Sequence, residues 1–180
     1  DTEGTIVSAN DVVIDGFTIE GNVSSVFVYG VDMAQGTTGT QLYNNNIQRF
    51  DLATGANLGV FATGLSDPQG IALDSSGNLY VANLEGNSGI GSVQKFALDG
   101  SSSTFANTGV DGPCALAFDG SGNLYVATFT GNTIEKFSSS GVDLGVFASA
   151  GVNGPMGLAF DHSGNLFVAN ANNNTILRIT

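Results

Sequence analysis

A single cysteine, Cys114, is the chain's whole supply of thiol. It can close no internal disulfide and build no cysteine-based zinc site, so its expected role is that of a small buried apolar side chain. Basic residues are almost as scarce, with four Lys or Arg against 16 Asp or Glu and a net charge of −12. Phosphate neutralisation needs many basic groups, so nucleic acid is excluded as a partner, and docking on anionic lipid goes with it. No apolar run reaches the roughly 18 residues of a spanning helix, so no membrane insertion is expected. Tryptophan is absent, and charged residues make up 11% of the chain, against the roughly 25% usual in soluble domains. What is plentiful is glycine, 26 residues, and apolar material, 42%, which is enough for a core and argues against disorder. The 180 residues fit one domain or slightly more. The chain opens at Asp1 with no basic segment followed by an apolar one, so no signal peptide is expected in it. It reads as a mature chain or a piece of a longer one.

The three prolines are not scattered. They open three aligned segments: Pro68-Gln-Gly-Ile-Ala-Leu-Asp74-Ser-Ser-Gly-Asn-Leu-Tyr-Val-Ala-Asn83, Pro113-Cys-Ala-Leu-Ala-Phe-Asp119-Gly-Ser-Gly-Asn-Leu-Tyr-Val-Ala-Thr128, and Pro155-Met-Gly-Leu-Ala-Phe-Asp161-His-Ser-Gly-Asn-Leu-Phe-Val-Ala-Asn170. The period is 45 and then 42 residues. A second marker holds the basic residues: Ile47-Gln-Arg49-Phe50, Val93-Gln-Lys95-Phe96, Ile134-Glu-Lys136-Phe137 and Ile176-Leu-Arg178-Ile179 use every Lys and Arg. A third is a Phe-Ala pair at Phe61-Ala62, Phe105-Ala106 and Phe147-Ala148. A fixed period of this length is the signature of a repeat architecture.

Each repeat predicts four short strands. The first follows the proline, which at a strand start costs no ladder hydrogen bond. Asp-x-Ser-Gly-Asn then predicts a tight hairpin turn, with Asp74, Asp119 or Asp161 capping the backbone and Gly77, Gly122 or Gly164 supplying positive φ. The second strand, Leu-Tyr-Val-Ala and its copies, is apolar on both faces, so both faces are expected to be covered. The third carries the basic residue and the fourth the Phe-Ala pair. Four strands per repeat, buried on both sides, is what a β-propeller blade requires. The small Ala72, Ala117 and Ala159 fit the crowded innermost strand.

At these residues the chain resembles the NHL-type β-propeller repeat family over residues 47–180. The resemblance implies an all-β fold of four-stranded antiparallel blades, here an incomplete or minimal propeller with three clear repeats, and it leaves function open among protein-binding, RNA-binding and enzymatic members. Residues 1–46 follow the pattern less well. Ile14-Asp-Gly-Phe-Thr-Ile19, echoed 28 residues later by Leu42-Tyr-Asn-Asn-Asn-Ile47, resembles coils of a right-handed parallel β-helix of pectate-lyase type. Against that, Asp32 precedes Ile47 by the same 15 residues that separate Asp119 from Ile134, the spacing of a degenerate blade. Strand and turn are expected on either reading.

Among candidate chemistry, the repeated Asp74, Asp119 and Asp161 read as folding elements, since their turns lack the alternating ligands of a calcium loop. Arg49, Lys95, Lys136 and Arg178 are expected to lay their stems along the blade with the charge at solvent or a nearby Asp. His162, the only histidine, sits in a turn with no partner to make it a base. Related lactonase-like and lyase-like propellers hold a metal on inner strands. Here the inner strands offer no ligand groups, and only Asn83, Asn170, Asp67 and Asp111 could contribute oxygens. No catalytic, cofactor or metal site is therefore assigned. The expectation is a non-catalytic scaffold or binding module for a protein or glycan, from a secreted or surface bacterial protein. Its rivals are a metal-dependent lactonase-like or lyase-like enzyme and a fragment of a polysaccharide-active β-helix protein. The loop Leu84–Gly91 is the expected contact segment. An open blade edge would favour self-association unless Leu58–Ala62 supplied the strand missing after Thr180.

Overall fold

The computed structural model describes residues 11–14, 17–20, 23–27, 32–35, 45–50, 56–84 and 90–180, with side chains at 46–48, 56–84 and 90–180. Their regular structure is all strand: β1 (Asp11–Ile14), β2 (Phe17–Glu20), β3 (Val23–Phe27), β4 (Asp32–Gln35), β5 (Asn45–Phe50), β6 (Asn57–Leu65), β7 (Pro68–Leu73), β8 (Leu79–Leu84), β9 (Gly91–Phe96), β10 (Ser102–Ala106), β11 (Pro113–Phe118), β12 (Leu124–Thr128), β13 (Thr133–Phe137), β14 (Asp143–Ala148), β15 (Pro155–Phe160), β16 (Leu166–Asn170) and β17 (Thr175–Ile179). No helix long and apolar enough to cross a membrane occurs among the described residues.

The chain divides into two compact units, Asp1–Pro68 and Gln69–Thr180. In the first, β1, β2, β5 and β6 form one sheet in that order, and β3 pairs with β4 as a hairpin inserted between β2 and β5. All of these pairings are antiparallel, whereas coils of a parallel β-helix pair in parallel. Leu58–Ala62 lies within β6 and serves this sheet, with Ala62 opposite the buried Ile47.

In the second unit, three sheets repeat the expected order. β7 to β10 form one four-stranded sheet and β11 to β14 another, each with neighbours in sequence paired, while β15 to β17 form a three-stranded sheet. The Pro-led strand, the Leu-Tyr-Val-Ala strand, the basic strand and the Phe-Ala strand fall where the repeat placed them.

The core lies between these sheets, and alternation along the second strand creates it. Side chains on a strand point alternately to opposite faces. In β12, Leu124 and Val126 join a cluster with Tyr80, Ala82, Val93 and Ala106 of the preceding sheet. Tyr125 and Ala127 face the other way and pack with Leu166, Val168 and Val152. Every residue of β12 is buried as a result. The Phe-Ala marker has a role in this packing. Tyr80 is held edge-on between Phe105 of its own sheet and Phe118 of the next, both 4.9 Å away, and Tyr125 between Phe147 at 4.8 Å and Phe160 at 5.0 Å. Such edge-to-face pairs are worth roughly 0.5–1.5 kcal/mol beyond their buried area.

The innermost strands come closest of all. A Cβ added at Gly70 of β7 would lie 2.5 Å from the Cys114 carbonyl oxygen of β11, so backbone contact requires glycine here. Cys114 is buried as expected, and its thiol also donates to the Pro155 carbonyl of β15 at 2.7 Å. The lone thiol therefore ties one sheet to the next.

The last sheet shows what the next neighbour supplies. Ile134 is fully buried, while Ile176, at the same repeat position in β17, is 68% exposed. Ile134→Ala should accordingly cost about 3 kcal/mol, in line with deletion of a buried Ile, and Ile176→Ala less than about 1 kcal/mol. Urea unfolding of the two variants checks the contrast, and equal losses would contradict stacking as the source of stability.

Candidate functional site

The repeated turn is the first place to look for chemistry. Asp74 Oδ1 accepts from the Ser76 and Asn78 N–H groups, each at 2.9 Å, and its Oδ2 accepts from Asn78 Nδ2 at 2.8 Å and the Tyr80 hydroxyl at 3.3 Å. Asp119 repeats every bond with Ser121, Asn123 and Tyr125. Asp161 does so with Ser163 and Asn165, and lacks only the hydroxyl, since Phe167 stands where the others have Tyr. Gly77, Gly122 and Gly164 take φ of 80°, 81° and 82°, closing a turn that a Cβ would strain. Lys95 Nζ lies 3.7 Å from Asp74 and 5.2 Å from the Tyr80 ring centre, and Lys136 Nζ lies 3.8 Å from Asp119 and 4.9 Å from that of Tyr125. The Arg178 guanidinium stands 6.0 Å from the Phe167 ring centre. These carboxylates are consumed by the fold. His162 is exposed in the third turn.

Burial pushes the Asp74 and Asp119 carboxyls up, but the hydrogen bonds of their turns, with Lys95 and Lys136 beside them, outweigh it and hold both below the usual carboxylate range. The Asn165 side chain, then its backbone N–H, does the same for Asp161. Burial pushes the Cys114 thiol up to about 12, so it remains a protonated donor.

The four candidate oxygen donors do not meet. Asn170 is buried and fastens the loop before β15, accepting from Asn153 N–H at 3.1 Å and donating to the Gly151 carbonyl at 2.9 Å. Asn83 occupies the same place in β8, buried, with no hydrogen-bond partner for either side-chain polar atom among the described residues. Thr128, in the middle repeat, bonds to Thr133 instead. Asp67 lies in the first unit, half-buried, with a φ of 49°. Asp111 is exposed in the loop before β11. No group of three or more His, Cys, Asp or Glu that could hold a metal occurs among the described residues.

Two cavities of the second unit stand at the loop end of the sheets, opposite the Asp turns. One, of about 160 Å³, sits at the heads of β7, β11 and β15 and is lined by Gln69, Leu84, Pro113, Cys114, Phe129 and Met156, among others. Gln69, Cys114 and Met156 each follow a repeat proline, a signal present in the sequence that spacing alone did not rank. The other, of about 330 Å³, is lined by Ile90, Val110, Asp111, Thr133 and Glu135 among others. Glu135 was missed by sequence reasoning, although it stands at a repeat position held elsewhere by Gln48, Gln94 and Leu177. Of the expected contact loop, Leu84 lines the first cavity and Ile90 the second, while residues 85–89 lie outside the described residues.

Residues 65–96, from the end of β6 to the end of β9, match the NHL repeat family. No curated protein matches the chain in sequence. Among solved structures it is similar to a chain of the nidogen/laminin complex, at 20% identity and a TM-score of 0.63, covering 74% of this chain and 52% of that one. It is also similar to XC5397 of Xanthomonas campestris, a gluconolactonase, at 23% identity and a TM-score of 0.61, covering 88% and 52%. A third is virginiamycin B lyase from Staphylococcus aureus, at 20% identity and a TM-score of 0.53, covering 63% and 38%. The chain spans about half or less of the length of these proteins. At such identities the likeness is one of fold, and the sheets of the second unit are β-propeller blades.

Two outcomes follow for these side chains. Depressed aspartates stabilise above their unfolded pKa of about 3.9, and that contribution is lost as pH falls through the folded value. The unfolding midpoint should therefore hold from neutral pH down to about 4.5 and drop below it, with Asp119→Asn lowering the plateau by about 2 kcal/mol and flattening the acid limb. Urea melts from pH 2.5 to 7 test this, and an unaltered acid limb in the variant would refute it. Cys114 should resist a thiol reagent at pH 8 in the folded protein and react at the rate of a free thiol in urea. Rapid labelling of the folded chain would place the thiol elsewhere.

Proposed function

We propose that the chain is a non-catalytic propeller segment, a scaffold or binding module for a protein partner, within a secreted or surface-exposed bacterial protein. The observation that carries this reading is the lining of the cavity at the heads of β7, β11 and β15. A lactonase-like or lyase-like propeller enzyme needs oxygen or imidazole ligands converging on inner strands. Among the described residues the walls are Leu84, Pro113, Cys114, Phe129 and Met156, with the Gln69 amide and the Thr130 hydroxyl as the side-chain oxygens. Such a lining suits an apolar side chain better than a hydrated cation.

The surface around it supports the same reading. Phe129 is 38% exposed and Ile90 62% exposed at the loop end, beside the exposed Asp111. Apolar side chains bordered by polar ones are what a protein interface offers. The likeness to a chain of the nidogen/laminin complex adds that this fold can serve a protein partner. The antiparallel sheet of β1, β2, β5 and β6 reads as a further blade, with the β3–β4 hairpin as its insertion.

The test is an attempt at catalysis. With Mn²⁺, Zn²⁺, Ca²⁺ or Mg²⁺ added, δ-gluconolactone should be hydrolysed no faster than background, and the melting temperature should move by less than about 1 °C, since an ion bound to the folded state would raise it. Saturable hydrolysis restored by one of these ions and abolished by chelation would replace this reading with the enzymatic one.

A further inference from the structure

The larger cavity, of about 330 Å³, holds a carboxylate that the fold does not use. Glu135 projects from β13 on the face opposite Ile134, toward the sheet of β7 to β10, and is only 6% exposed. A carboxylate so buried is costly unless a positive charge or several donors compensate it. Among the described residues one donor reaches it, the Thr133 hydroxyl, at 2.6 Å from Oε1. Thr128 Oγ1 lies 2.7 Å from Thr133 Oγ1, and with Thr128 as the donor of that pair the Thr133 proton goes to the carboxylate.

Among the described side chains no cation reaches it. Lys95 and Lys136 pair with Asp74 and Asp119 at the hairpin turns, and Arg178 stands over Phe167. The cavity contains a second acid, the exposed Asp111, whose carbonyl accepts from Gly131 N–H at 3.3 Å. The wall also includes the buried Val110 and the exposed Ile90. One buried carboxylate, one exposed carboxylate and apolar wall residues in the same cavity complement a positive head on a hydrocarbon stem. The net charge of −12 would also draw such a group in from solvent.

We propose that this cavity binds a primary ammonium or guanidinium group on a short aliphatic stem, with Glu135 taking the charge and Val110 and Ile90 the stem. Resting on the binding-module reading above, the source is a Lys or Arg side chain of the protein partner. A free alkylamine has the same chemistry. The sister repeats show that the carboxylate is dispensable to the fold, since Gln48 and Gln94 occupy its position in two other sheets.

That substitution supplies the test. The wild type, Glu135→Gln and Asp111→Asn are titrated, by calorimetry and amide NMR, with n-butylammonium, the amidated peptide Gly-Gly-Lys-Gly-Gly and neutral n-butanol. The expected result is saturable binding of both cations, shifts confined to residues around the cavity, and affinity lower by about tenfold in Glu135→Gln and by a few-fold in Asp111→Asn. Unchanged affinity in Glu135→Gln, equal binding of n-butanol, absence of binding, or saturable Ca²⁺ binding in place of the amines would each overturn the proposal. Peptide binding tighter than n-butylammonium supports the protein-borne source. Binding of n-butylammonium with the peptide excluded leaves the cavity's chemistry standing and overturns the protein source. The lactone assay above reads the non-catalytic assignment separately, so the two can fail independently.

Discussion

A strand that is apolar on both faces must have a neighbour on each side, and that constraint organises the second unit. Leu124 and Val126 cannot leave water without the preceding sheet, nor Tyr125 and Ala127 without the following one. Stacking is therefore the source of the core, and no sheet has a core of its own. The small residues follow from it, since the backbones at Gly70 and Cys114 approach within side-chain distance. So does the hydrogen bond from the Cys114 thiol to Pro155, which spans the next junction, between β11 and β15. Where the stack ends, the same repeat position turns from buried Ile134 to exposed Ile176.

Charge is distributed unevenly along the strands. At the hairpin end each Asp turn saturates its carboxylate with backbone and side-chain donors, and Lys95 and Lys136 sit close enough to share it. At the loop end lie Asp111 and the buried Glu135, with no basic residue of this unit beside them. Lys95, Lys136 and Arg178 thus stand at turns and aromatic rings. Asp111 and Glu135 are the two acids that line the larger cavity at that end.

Much of this was legible before any coordinates. The Asp-x-Ser-Gly-Asn turn forms in all three repeats, and the doubly buried Leu-Tyr-Val-Ala strand and the order of four strands in the first two, because each is a local rule that the repetition makes legible. Glu135 was passed over because its significance is a departure from the repeat, visible only once its neighbours show that no cation reaches it. Cys114 was read as a buried side chain, but its partner lies 41 residues away on another sheet, beyond any local pattern. Asn83, Thr128 and Asn170 share one repeat position and three different environments. Their loops differ, and loop conformation depends on contacts that spacing does not encode.

By itself, then, the sequence determined the fold class, the strand order and the turn chemistry, because backbone geometry and alternation of apolar residues are short-range properties written into each repeat. Only the tertiary structure decided which side chains share a cavity and which charges go uncompensated. Those outcomes depend on how two sheets meet, and the juxtaposition of Asp111, Thr133 and Glu135 with Ile90 exists only after β9 and the loop before β11 have been brought together.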